Sequence, residues 1–571
     1  MNGPPIDALR SAMASCRRVW VGVAAFSAVL NLLMLAVPLY MMQIFDRVLT
    51  TGHIDTLLVL TAMVAAALIV FGLLDALRGR ILARAGAWLE GELGGPVLSA
   101  AVSDALRVGG GVSAQGLRDL AAVRSYVGGP SVTPLFDAPW APVFLAVVFL
   151  IHPLLGWIGL GGALLLAVCA VANDLTTRRR MAAANDAQAA ALNEADAAVR
   201  NADTIAAMGM LPALVQRSGY TAPGGLRRQV AASDIAFAIT AFAKASRFAL
   251  QVAMLGVGAW LVIGVEMSPG GMIAASIVLA RGLAPVEQSI GGWRAFVAAR
   301  AAWRRLDDLL RRSAPAAEPG TVLPRPTGTL ELEGVNYAPP GRRSAVLRGV
   351  SLRVEAGEML GIVGPSGAGK TTLVRLIVGT LAPTVGHVRL DGADMAAWPA
   401  ADRGRHVGYL PQNIELFAGT VRDNIARLGD APDEAVIEAA KLADAHRIVL
   451  GLDAGYETRI GEGGVPISNG QRQRIALARA VFGDPALVVL DEPNAHLDGD
   501  GEWALVRALD ALRERGVTVV LIAQRAPVMV KADRIVVIKD GKMARYGPAD
   551  EVLDELRRPV PPKVLQVGHG R

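Results

Sequence analysis

The stretch "EMLGIVGPSGAGKTTLVRLIVG" at residues 358–379 decides the fold of the second half of this 571-residue chain. An apolar strand leads into a glycine-rich turn and then into a run with helical periodicity. Residues from Gly364 to Thr371 match G-x-x-x-x-G-K-[ST] in full, in the strand–loop–helix context that the motif needs. An idle turn is the alternative, and the complete match disfavours it. The predicted phosphate-binding residues are Gly364, Ser366, Gly367, Ala368, Gly369, Lys370, Thr371 and Thr372.

Two carboxylates end a second apolar strand, "ALVVLDEP" at residues 486–493. Asp491 suits the coordination shell of a metal ion, and Glu492 suits a general base that polarises an attacking water. Gln412 follows another short apolar strand in "VGYLPQNIELF" and is predicted to contact Mg²⁺ and that water, unless it is an ordinary loop glutamine. With Thr371 as a further metal ligand, this half of the chain is predicted to bind ATP and Mg²⁺.

A polar break, "ISNGQ" at residues 467–471, comes directly before another helical run. Ser468 is expected to be the N-cap of that helix. Asn469, Gly470 and Gln471 place open backbone N–H groups at a positive helix end, so an anion is predicted to bind there.

The first half of the chain carries six apolar runs, and about 20 such residues suffice to cross a bilayer. The predicted spans are residues 19–42, 56–77, 138–153, 154–173, 245–265 and 271–292. His152 and Pro153 are expected to form a tight turn between the third and fourth spans. Buried helices of a large soluble protein would account for one such run but not for six. A secretory signal at residues 1–40 is not expected, because the run is too long and no small-residue cleavage site follows it.

Charge predicts the orientation of these spans. The net charge of +6 could suggest nucleic acid, but the arginines cluster beside alternate ends of the apolar runs, so we expect no nucleic-acid binding. Both termini and the long segments 78–137 and 174–244 are then predicted to be cytoplasmic, and 182–211 to be helical. The two cysteines are too few for a disulfide framework and too isolated for a metal site.

Two ionisable residues, Arg281 and Glu287, lie within the sixth span on either side of Pro285. Charged groups at membrane depth usually face a bundle interior or a water-filled path, so both are candidates for the transport pathway. The alternative is that Arg281 pairs with a neighbouring span and only fixes packing.

The order of these motifs resembles the ATP-binding cassette (ABC) transporters. Residues 364–372 look like Walker A, Gln412 the Q-loop, "SNGQ" the signature, "LVVLDE" Walker B, and "NAHLD", ending at Asp498, the D-loop. The resemblance implies an α-helical six-span transmembrane domain of the type I exporter kind, fused to an α/β P-loop cassette with a RecA-like core and a helical subdomain. The expected parts are a cytoplasmic N-terminus at 1–18, a transmembrane domain with long cytoplasmic helical extensions at 19–310, a Pro-rich linker at 311–328, the cassette at 329–558 and a tail at 559–571.

Three stretches of the membrane half, at residues 37–52, 117–142 and 279–296, resemble the type I secretion exporters of Gram-negative bacteria, especially the protease-exporter branch. That resemblance implies an inner-membrane homodimer working with a periplasmic adaptor (membrane-fusion) protein and an outer-membrane channel. It also implies export of an unfolded polypeptide, such as a repeat-in-toxin protein with a C-terminal signal. Relatives with an N-terminal peptidase domain exist, but so few residues precede the first span that no leader-peptide cleavage is expected. Export of lipid or a small molecule, or a weakly hydrolysing ATP-gated scaffold, are the competing functions.

Three departures from the family pattern bear on the chemistry. Asn469 replaces the usual signature glycine, and its tolerance of left-handed backbone angles is expected to preserve the loop. Pro339 stands where an adenine-stacking aromatic is usual, which leaves Tyr337 as the candidate. Gln524 occupies the position of the switch histidine that contacts the γ-phosphate, so hydrolysis is expected to be slowed but not abolished.

Overall fold

The fold was analysed on a computed structural model of the chain. It describes residues 5–108, 115–217, 223–313, 323–340, 344–495, 497, 499–523 and 526–557. Half of the predicted linker, residues 314–322, and the whole predicted tail at 559–571 therefore lie outside the described residues. The described residues fall into two compact units, of which the first lies within residues 5–313 and the second is formed mainly by residues 323–557.

The first unit is entirely helical in its described part. Its α-helices are α1 (Pro5–Leu33), α2 (Ala36–Gln43), α3 (Leu49–Thr51), α4 (Ile54–Val108), α5 (Gln115–Val127), α6 (Thr133–Asp137), α7 (Ala141–Ile151), α8 (Pro153–Arg200), α9 (Ala202–Ala207), α10 (Leu211–Arg217), α11 (Pro223–Ile263) and α12 (Pro269–Arg312). A π-helical turn, Ile44–Val48, and two 3₁₀ turns, Pro130–Val132 and Ala138–Trp140, connect some of them.

Six helical segments of this unit are long and apolar enough to cross a membrane. They are Ser11–Thr51, Ile54–Leu106, Pro130–Ile151, Pro153–Thr177, Asp234–Ile263 and Pro269–Arg312. The six predicted spans each fall within one of these segments, give or take a residue or two at an end. The predicted turn is also present, because His152 is extended and its Nδ1 accepts a hydrogen bond from the amide of Leu154 at 3.2 Å.

Several of these helices are much longer than a bilayer is thick. Helix α4 has 55 residues and would be about 80 Å long at 1.5 Å per residue, against about 30 Å of hydrocarbon. The long segments at 78–137 and 174–244, here called the arms, are therefore mostly helical in their described part. The arm predicted over 182–211 is interrupted, however, because α8 ends at Arg200 and α9 ends before Gly209, whose φ of +61° stops the helix.

Helix α12 lies at the centre of the first unit and packs against α5, α7, α8 and α11. Its buried face is largely small, with Gly271, Ala274, Ala275 and Ser276 near its start, which lets neighbouring helices approach closely. One apolar cluster surrounds Leu306 and Leu310 near its end, and another surrounds Leu279 and Leu283 near its middle.

A buried arginine joins three parts of this unit. Arg78 of α4 donates to Ser27 Oγ of α1 at 3.0 Å and to Asp137 Oδ1 of α6 at 2.9 Å. It also pairs with Asp75 at 2.7 Å. The charge is thus neutralised by two carboxylates, as an ionisable group at the edge of the membrane requires. No local sequence pattern signals this network, because its members lie on three separate helices.

At the opposite end of the spans, Asp46 of the π-helical turn binds the start of α12. Its carboxylate accepts hydrogen bonds from Ser268 Oγ at 2.6 Å and from the amide of Gly270 at 2.8 Å. A carboxylate is favourable there because the first amides of a helix have no intrahelical partner and carry a partial positive charge.

The second unit alternates strands with helices. Its strands are β1 (Leu330–Tyr337), β2 (Leu347–Val354), β3 (Met359–Val363), β4 (Val385–Leu390), β5 (Ala393–Asp394), β6 (Val407–Leu410), β7 (Gly419–Thr420), β8 (Arg459–Ile460), β9 (Leu487–Asp491), β10 (Thr518–Ile522), β11 (Arg534–Lys539) and β12 (Lys542–Pro548). Its α-helices are α13 (Lys370–Ile377), α14 (Ala400–His406), α15 (Val421–Ile425), α16 (Asp433–Leu442), α17 (His446–Leu450), α18 (Asn469–Val481), α19 (Gly499–Glu514), α20 (Ala526–Met529) and α21 (Ala549–Arg557), with a 3₁₀ turn at Gly455–Glu457.

The central sheet of this unit has the order β12-β11-β3-β10-β9-β6. Strands β11, β3, β10, β9 and β6 are parallel, and β12 is an antiparallel edge. A second sheet, β2-β1-β4-β5, is antiparallel. Helices α15, α16 and α18 pack together on one side as a helical subdomain. Because ligands bind beyond the carboxyl ends of parallel strands, the ends of β3, β6 and β9 mark the expected site.

Candidate nucleotide-binding site

The loop between β3 and α13 has the geometry of a phosphate cradle. A Cβ at Gly364 would overlap the backbone carbonyl of Ile538, so only glycine lets the loop leave the sheet there. Gly369 has a φ of +103° and is the N-cap of α13, where it brings the chain round into the helix. The first amides of α13 therefore point out of the helix end, towards the loop.

The Lys370 side chain lies back along this loop. Its ammonium donates to the carbonyl oxygens of Gly364 at 2.8 Å and Pro365 at 3.0 Å, and the residue is only 8% exposed. Among the described residues no carboxylate lies within ion-pair distance of it. A buried cation with only neutral partners favours an anion beside it.

Asp491 is the last residue of β9 and is 1% exposed. Neither of its carboxylate oxygens has a hydrogen-bond partner among the described residues. Burial, the largest effect, raises the pKa of its carboxyl. The nearby Thr371 hydroxyl lowers that pKa, and the neighbouring Glu492 raises it. A buried carboxylate beside a hydroxyl, with its oxygens unused, fits a hard cation such as Mg²⁺.

The structure brings Gln412 and Glu492 together from different strands. Gln412 follows β6, Glu492 follows β9, and the Gln412 amide donates to Glu492 Oε2 at 3.0 Å. Glu492 has a φ of +52°, an uncommon angle for a non-glycine residue and one often found at functional sites. The pairing excludes neither predicted role. It places the proposed base and the proposed water-positioning amide within one hydrogen bond of each other.

The polar break before α18 forms a complete capping box. Ser468 Oγ accepts from the amide of Gln471 at 3.2 Å, and Gln471 Oε1 accepts from the amide of Ser468 at 2.8 Å. Ser468 is thus the predicted N-cap. The expectation for Asn469 was wrong in its reason, because this residue begins α18 and its φ is not positive, so left-handed tolerance plays no part.

Nothing within a single chain explains why residue 470 is a glycine. It lies in a helix, where glycine is unfavourable, and a Cβ there would meet nothing within 4 Å. The absence of a side chain leaves the start of α18 open to close approach by another molecule.

Three other predicted residues were Tyr337, Asp498 and Gln524. Tyr337 ends β1, is half-buried against the core, and its stacking role stays a prediction. Asp498 and Gln524 lie outside the described residues, so their contacts are not assigned.

The two charged residues of the sixth span differ in their surroundings. Glu287 pairs with Arg247 of α11 at 2.5 Å. Arg281 is exposed on the first unit and has no ion pair or hydrogen bond among the described residues. The ion pair gives Glu287 a role in packing, and both residues stay predicted pathway candidates.

Two residues near the site, Arg375 and Tyr409, were not predicted, and the predicted residue Gln471 has a further role. Gln471 has a helix-capping role that its spacing of three residues from Ser468 would have predicted. Arg375 of α13 lowers the pKa of Asp491 by its charge, and Tyr409 of β6 lies close enough to Asp491 for burial and that carboxylate together to raise its own pKa. No sequence spacing signals Arg375 and Tyr409, because α13 and β6 come close to Asp491 only in the folded chain.

The residues present suit a nucleoside triphosphate with a divalent cation. No cluster of three metal-ligating side chains occurs in the described part of the chain. Mg²⁺ does not need one, because it is commonly held by one or two protein oxygens together with substrate phosphates and water.

Comparison with known families identifies the family to which this chain belongs. Residues 347–495 match the family model described as ABC transporter, and residues 20–281 match the model described as ABC transporter transmembrane region. The chain belongs to the ABC transporter family. Its second unit is accordingly the nucleotide-binding ABC cassette and its first the membrane domain.

Two relatives indicate which branch of the ABC transporter family this chain is most similar to. It is 41% identical to the type I secretion system ATP-binding protein PrsD of Rhizobium meliloti (strain 1021), covering 98% of this chain and 95% of that protein. It is 32% identical to the cyclolysin secretion/processing ATP-binding protein CyaB of Bordetella pertussis, covering 93% of this chain and 75% of that protein. The predicted resemblance to type I secretion exporters is thereby confirmed.

A solved structure supports the fold of the whole chain. A bacterial Atm1-family ABC exporter with ATP bound has a TM-score of 0.78 and 24% identity, covering 95% of this chain and 97% of that one. The predicted fold class, a six-span exporter domain fused to an ABC cassette, is confirmed.

Proposed function

We propose that this ABC transporter uses ATP to export an unfolded polypeptide across the bacterial inner membrane, as the energising component of a type I secretion system. The observation that carries this proposal is the similarity to PrsD over nearly the full length of both chains. Similarity confined to the cassette would support only ATP use. Its extension through the membrane domain favours polypeptide export over the export of a lipid or small molecule.

The proposed chemistry follows from the site. Lys370 and the amides of residues 366–371 bind the phosphates, and Thr371 with Asp491, aided by Gln412, holds Mg²⁺. When bound, Mg²⁺ neutralises charge on the phosphate oxygens. Glu492 orients and polarises the attacking water, with its carboxylate held by the Gln412 amide. Gln524 donates a hydrogen bond to the γ-phosphate region but no charge, and so slows turnover.

We propose that two copies complete the site. The open start of α18, with Ser468, Asn469, Gly470 and Gln471, faces the γ-phosphate bound by the other copy. The family resemblance implies the same interface for Asp498. A homodimer is the simplest symmetric arrangement in which every such surface is used. Closure of the cassettes would then draw the long helical arms together and reorient the spans.

The remaining parts of the system are proposed from the charge pattern and from the resemblance to type I secretion exporters. The arginine clusters support a cytoplasmic location for the termini and the cassette, by the positive-inside rule. A periplasmic adaptor and an outer-membrane channel then carry the polypeptide onward. A repeat-in-toxin protein with a C-terminal signal is the expected kind of substrate.

The test is steady-state ATP hydrolysis by the purified chain in nanodiscs, with and without Glu492→Gln. We expect the variant to lose at least about 100-fold in turnover, as expected when a general base is removed, while still binding ATP. Glu514→Gln, an exposed glutamate near the end of α19, is the matched control and should leave turnover unchanged. No turnover in the unmodified chain would instead identify an ATP-gated scaffold. Copurification with an adaptor tests the secretion claim separately.

A further inference from the structure

A cavity of about 520 Å³ lies within the membrane domain, between α1, α4, α5 and α12. Its wall is almost wholly apolar and includes four aromatic residues, Trp20, Tyr126, Phe296 and Trp303. A cavity of about 150 Å³ is enough to hold one benzene ring, so this one has room for two or more bulky apolar side chains. The volume is also within the range of about 300–1,000 Å³ that is typical of ligand sites.

Most of this cavity lies beyond the membrane-crossing part of its helices. Eleven of its twelve lining residues are outside the six predicted spans, and only Trp20 is inside one. Four of the eleven belong to the segment 78–137, which the arginine clusters predict to be cytoplasmic. The cavity is therefore expected to take its occupant from the cytoplasm and not from the hydrocarbon of the bilayer.

Two arginines are the charged residues that line the cavity. Arg17 comes from α1 and Arg300 from α12, and both are exposed. Neither has an ion pair or a hydrogen bond to any other described residue. A guanidinium group binds a carboxylate or a phosphate through charge-assisted hydrogen bonds, so two unpaired ones favour an anion beside the apolar wall. An occupant that suits both parts of the site joins bulky apolar groups to an anionic group.

Helix α12 connects the cavity to the predicted transport pathway. Ala299, which lines the cavity, lies eighteen residues after the pathway candidate Arg281. At 3.6 residues per turn this is about five turns, so the two residues are on the same face of α12 and about 27 Å apart along it. An extended polypeptide covers that distance with about eight residues. A chain held in the cavity would therefore have its neighbouring residues within reach of Arg281.

We propose that this cavity binds a short segment of the exported polypeptide in which bulky apolar side chains stand next to an aspartate or glutamate. The apolar side chains enter the cavity, and the carboxylate pairs with Arg17 and Arg300. An unfolded polypeptide suits the site, because its apolar side chains are exposed to water and gain by leaving it. The inference rests on the proposed function and adds the place and the chemistry by which the substrate is held.

The chain carries its own reporter for this site. Cys16 lines the cavity, and the other cysteine, Cys169, is buried in α8. The Cys169→Ala variant in nanodiscs leaves Cys16 as the single thiol for labelling with a maleimide. The probes are short peptides of alternating glycine and serine that carry Leu-Phe-Asp, Leu-Phe-Asn or Ser-Ser-Asp at the centre.

We expect the Leu-Phe-Asp peptide to slow the labelling of Cys16. Each of the other two peptides should need at least about tenfold more for the same protection, because a charged hydrogen bond or a buried apolar side chain contributes that much. The fluorescence anisotropy of the same peptides, labelled with fluorescein, measures their binding to the chain without the cysteine substitution.

Arginine variants test the pairing with the carboxylate. Arg17→Ala and Arg300→Ala should each weaken binding of the Leu-Phe-Asp peptide roughly tenfold and leave binding of the Leu-Phe-Asn peptide unchanged. Arg18→Ala and Arg304→Ala, neighbours of the same charge that do not line the cavity, are the matched controls and should bind as the unmodified chain does. Ala299→Phe, which fills the cavity, should remove peptide binding in a chain that keeps its melting temperature.

Several outcomes would overturn the proposal. Equal binding of the Leu-Phe-Asp and Leu-Phe-Asn peptides would mean that the arginines play no part. Protection of Cys16 by phosphatidylglycerol in the nanodisc, and by no peptide, would assign the cavity to a lipid. Protection that ignores peptide and is lost when the dimer dissociates would make the cavity an interface between copies.

Polypeptide export separates this proposal from the function on which it rests. Export at the unmodified rate by the Ala299→Phe chain would overturn the role of the cavity and leave the proposed function standing. Absence of polypeptide export by the unmodified chain would contradict both.

Discussion

Asp491 is the side chain whose chemistry depends most on what binds beside it. It ends the buried strand β9 with both carboxylate oxygens unused among the described residues, and burial raises its pKa. A carboxyl with a raised pKa disfavours the ionised form in the folded protein. Its contribution is therefore destabilising, and the loss of stability develops as the pH rises from its ordinary pKa through the raised one.

Asp491→Asn should thus raise the melting temperature of the nucleotide-free cassette at neutral pH, because it removes a buried charge. The gain should shrink as the pH falls towards the acid range, where the native aspartate is protonated. The same variant should lose Mg²⁺-dependent ATP turnover. Differential scanning fluorimetry at a series of pH values measures the change in melting temperature. Asp554→Asn, an exposed carboxylate in α21, is the control, and an equal gain from it would contradict the argument.

Ser468 has two separable roles, as a helix cap and as a proposed γ-phosphate contact. Ser468→Asp should keep the cap, because aspartate accepts the same amide hydrogen bond, and yet place a negative charge where a phosphate must approach. We expect stability within about 0.5 kcal/mol of the unmodified chain and nearly complete loss of turnover. Ser468→Ala should do the reverse, costing about 1 kcal/mol of stability but retaining more activity, because the backbone N–H groups at the start of α18 remain and no charge is added. Equal activity in the two variants would contradict the γ-phosphate contact, because a negative charge at that position would then have no effect on turnover.

At the scale of single residues, sequence predicts well what a fixed spacing encodes. The loop from Gly364 to Thr371, the pair Asp491 and Glu492, and the cap at Ser468 all follow from local patterns. The contact between Gln412 and Glu492 and the approach of Tyr409 to Asp491 arise where β6 and β9 are neighbours in the sheet, and Arg375 approaches Asp491 because α13 packs against β9. No local pattern reports which strands are neighbours.

Among elements, the pairing of α11 with α12 shows how a charge is accommodated in the membrane. Arg247 and Glu287 join the two helices, and their side chains are 19% and 18% exposed. The hydropathy of the spans predicts the helices but gives no partner for Glu287, since Arg247 lies 40 residues earlier on another helix. The sequence also does not predict the breaks in the long arm at Asn201 and Gly209, because its alanine-rich composition favours helix throughout.

Removing one partner of this pair should destabilise the membrane domain by about 3 kcal/mol, because it leaves a charge without its counterion. Arg247→Met and Glu287→Leu should each lower the melting temperature in nanodiscs, and the double variant should recover much of the loss. Arg281→Met is the control, since Arg281 has no partner to lose among the described residues. It should leave the melting temperature unchanged while altering export. A Glu287→Leu variant that is stable but defective in export would instead indicate that Glu287 lines the transport pathway.

For the whole molecule, the proposed dimer makes a prediction that no single chain can test. Each composite site needs the P-loop of one copy and the start of α18 from the other. A mixed dimer of a Lys370→Met chain with a Ser468→Arg chain retains one intact site. A mixed dimer of the doubly substituted chain with an unmodified chain retains none.

We expect measurable ATP hydrolysis from the first mixed dimer, up to about half of the unmodified rate, and almost none from the second. The two dimers carry the same substitutions in different distributions, so each is the control for the other. Two affinity tags purify the mixed species before the assay. Equal activity in both would mean that each chain hydrolyses ATP alone.

The hydrogen bonds from Ser268 and Gly270 to Asp46 have a consequence for the transport cycle. They fasten the far end of the first membrane segment to the beginning of the last, across 224 residues of sequence in the case of Gly270. In the proposed cycle we therefore expect these two segments to move together, because separating them would break both hydrogen bonds and leave the first amides of α12 without a partner. An opening at this end of the spans is then expected to form between other segments, with the contact at Asp46 kept.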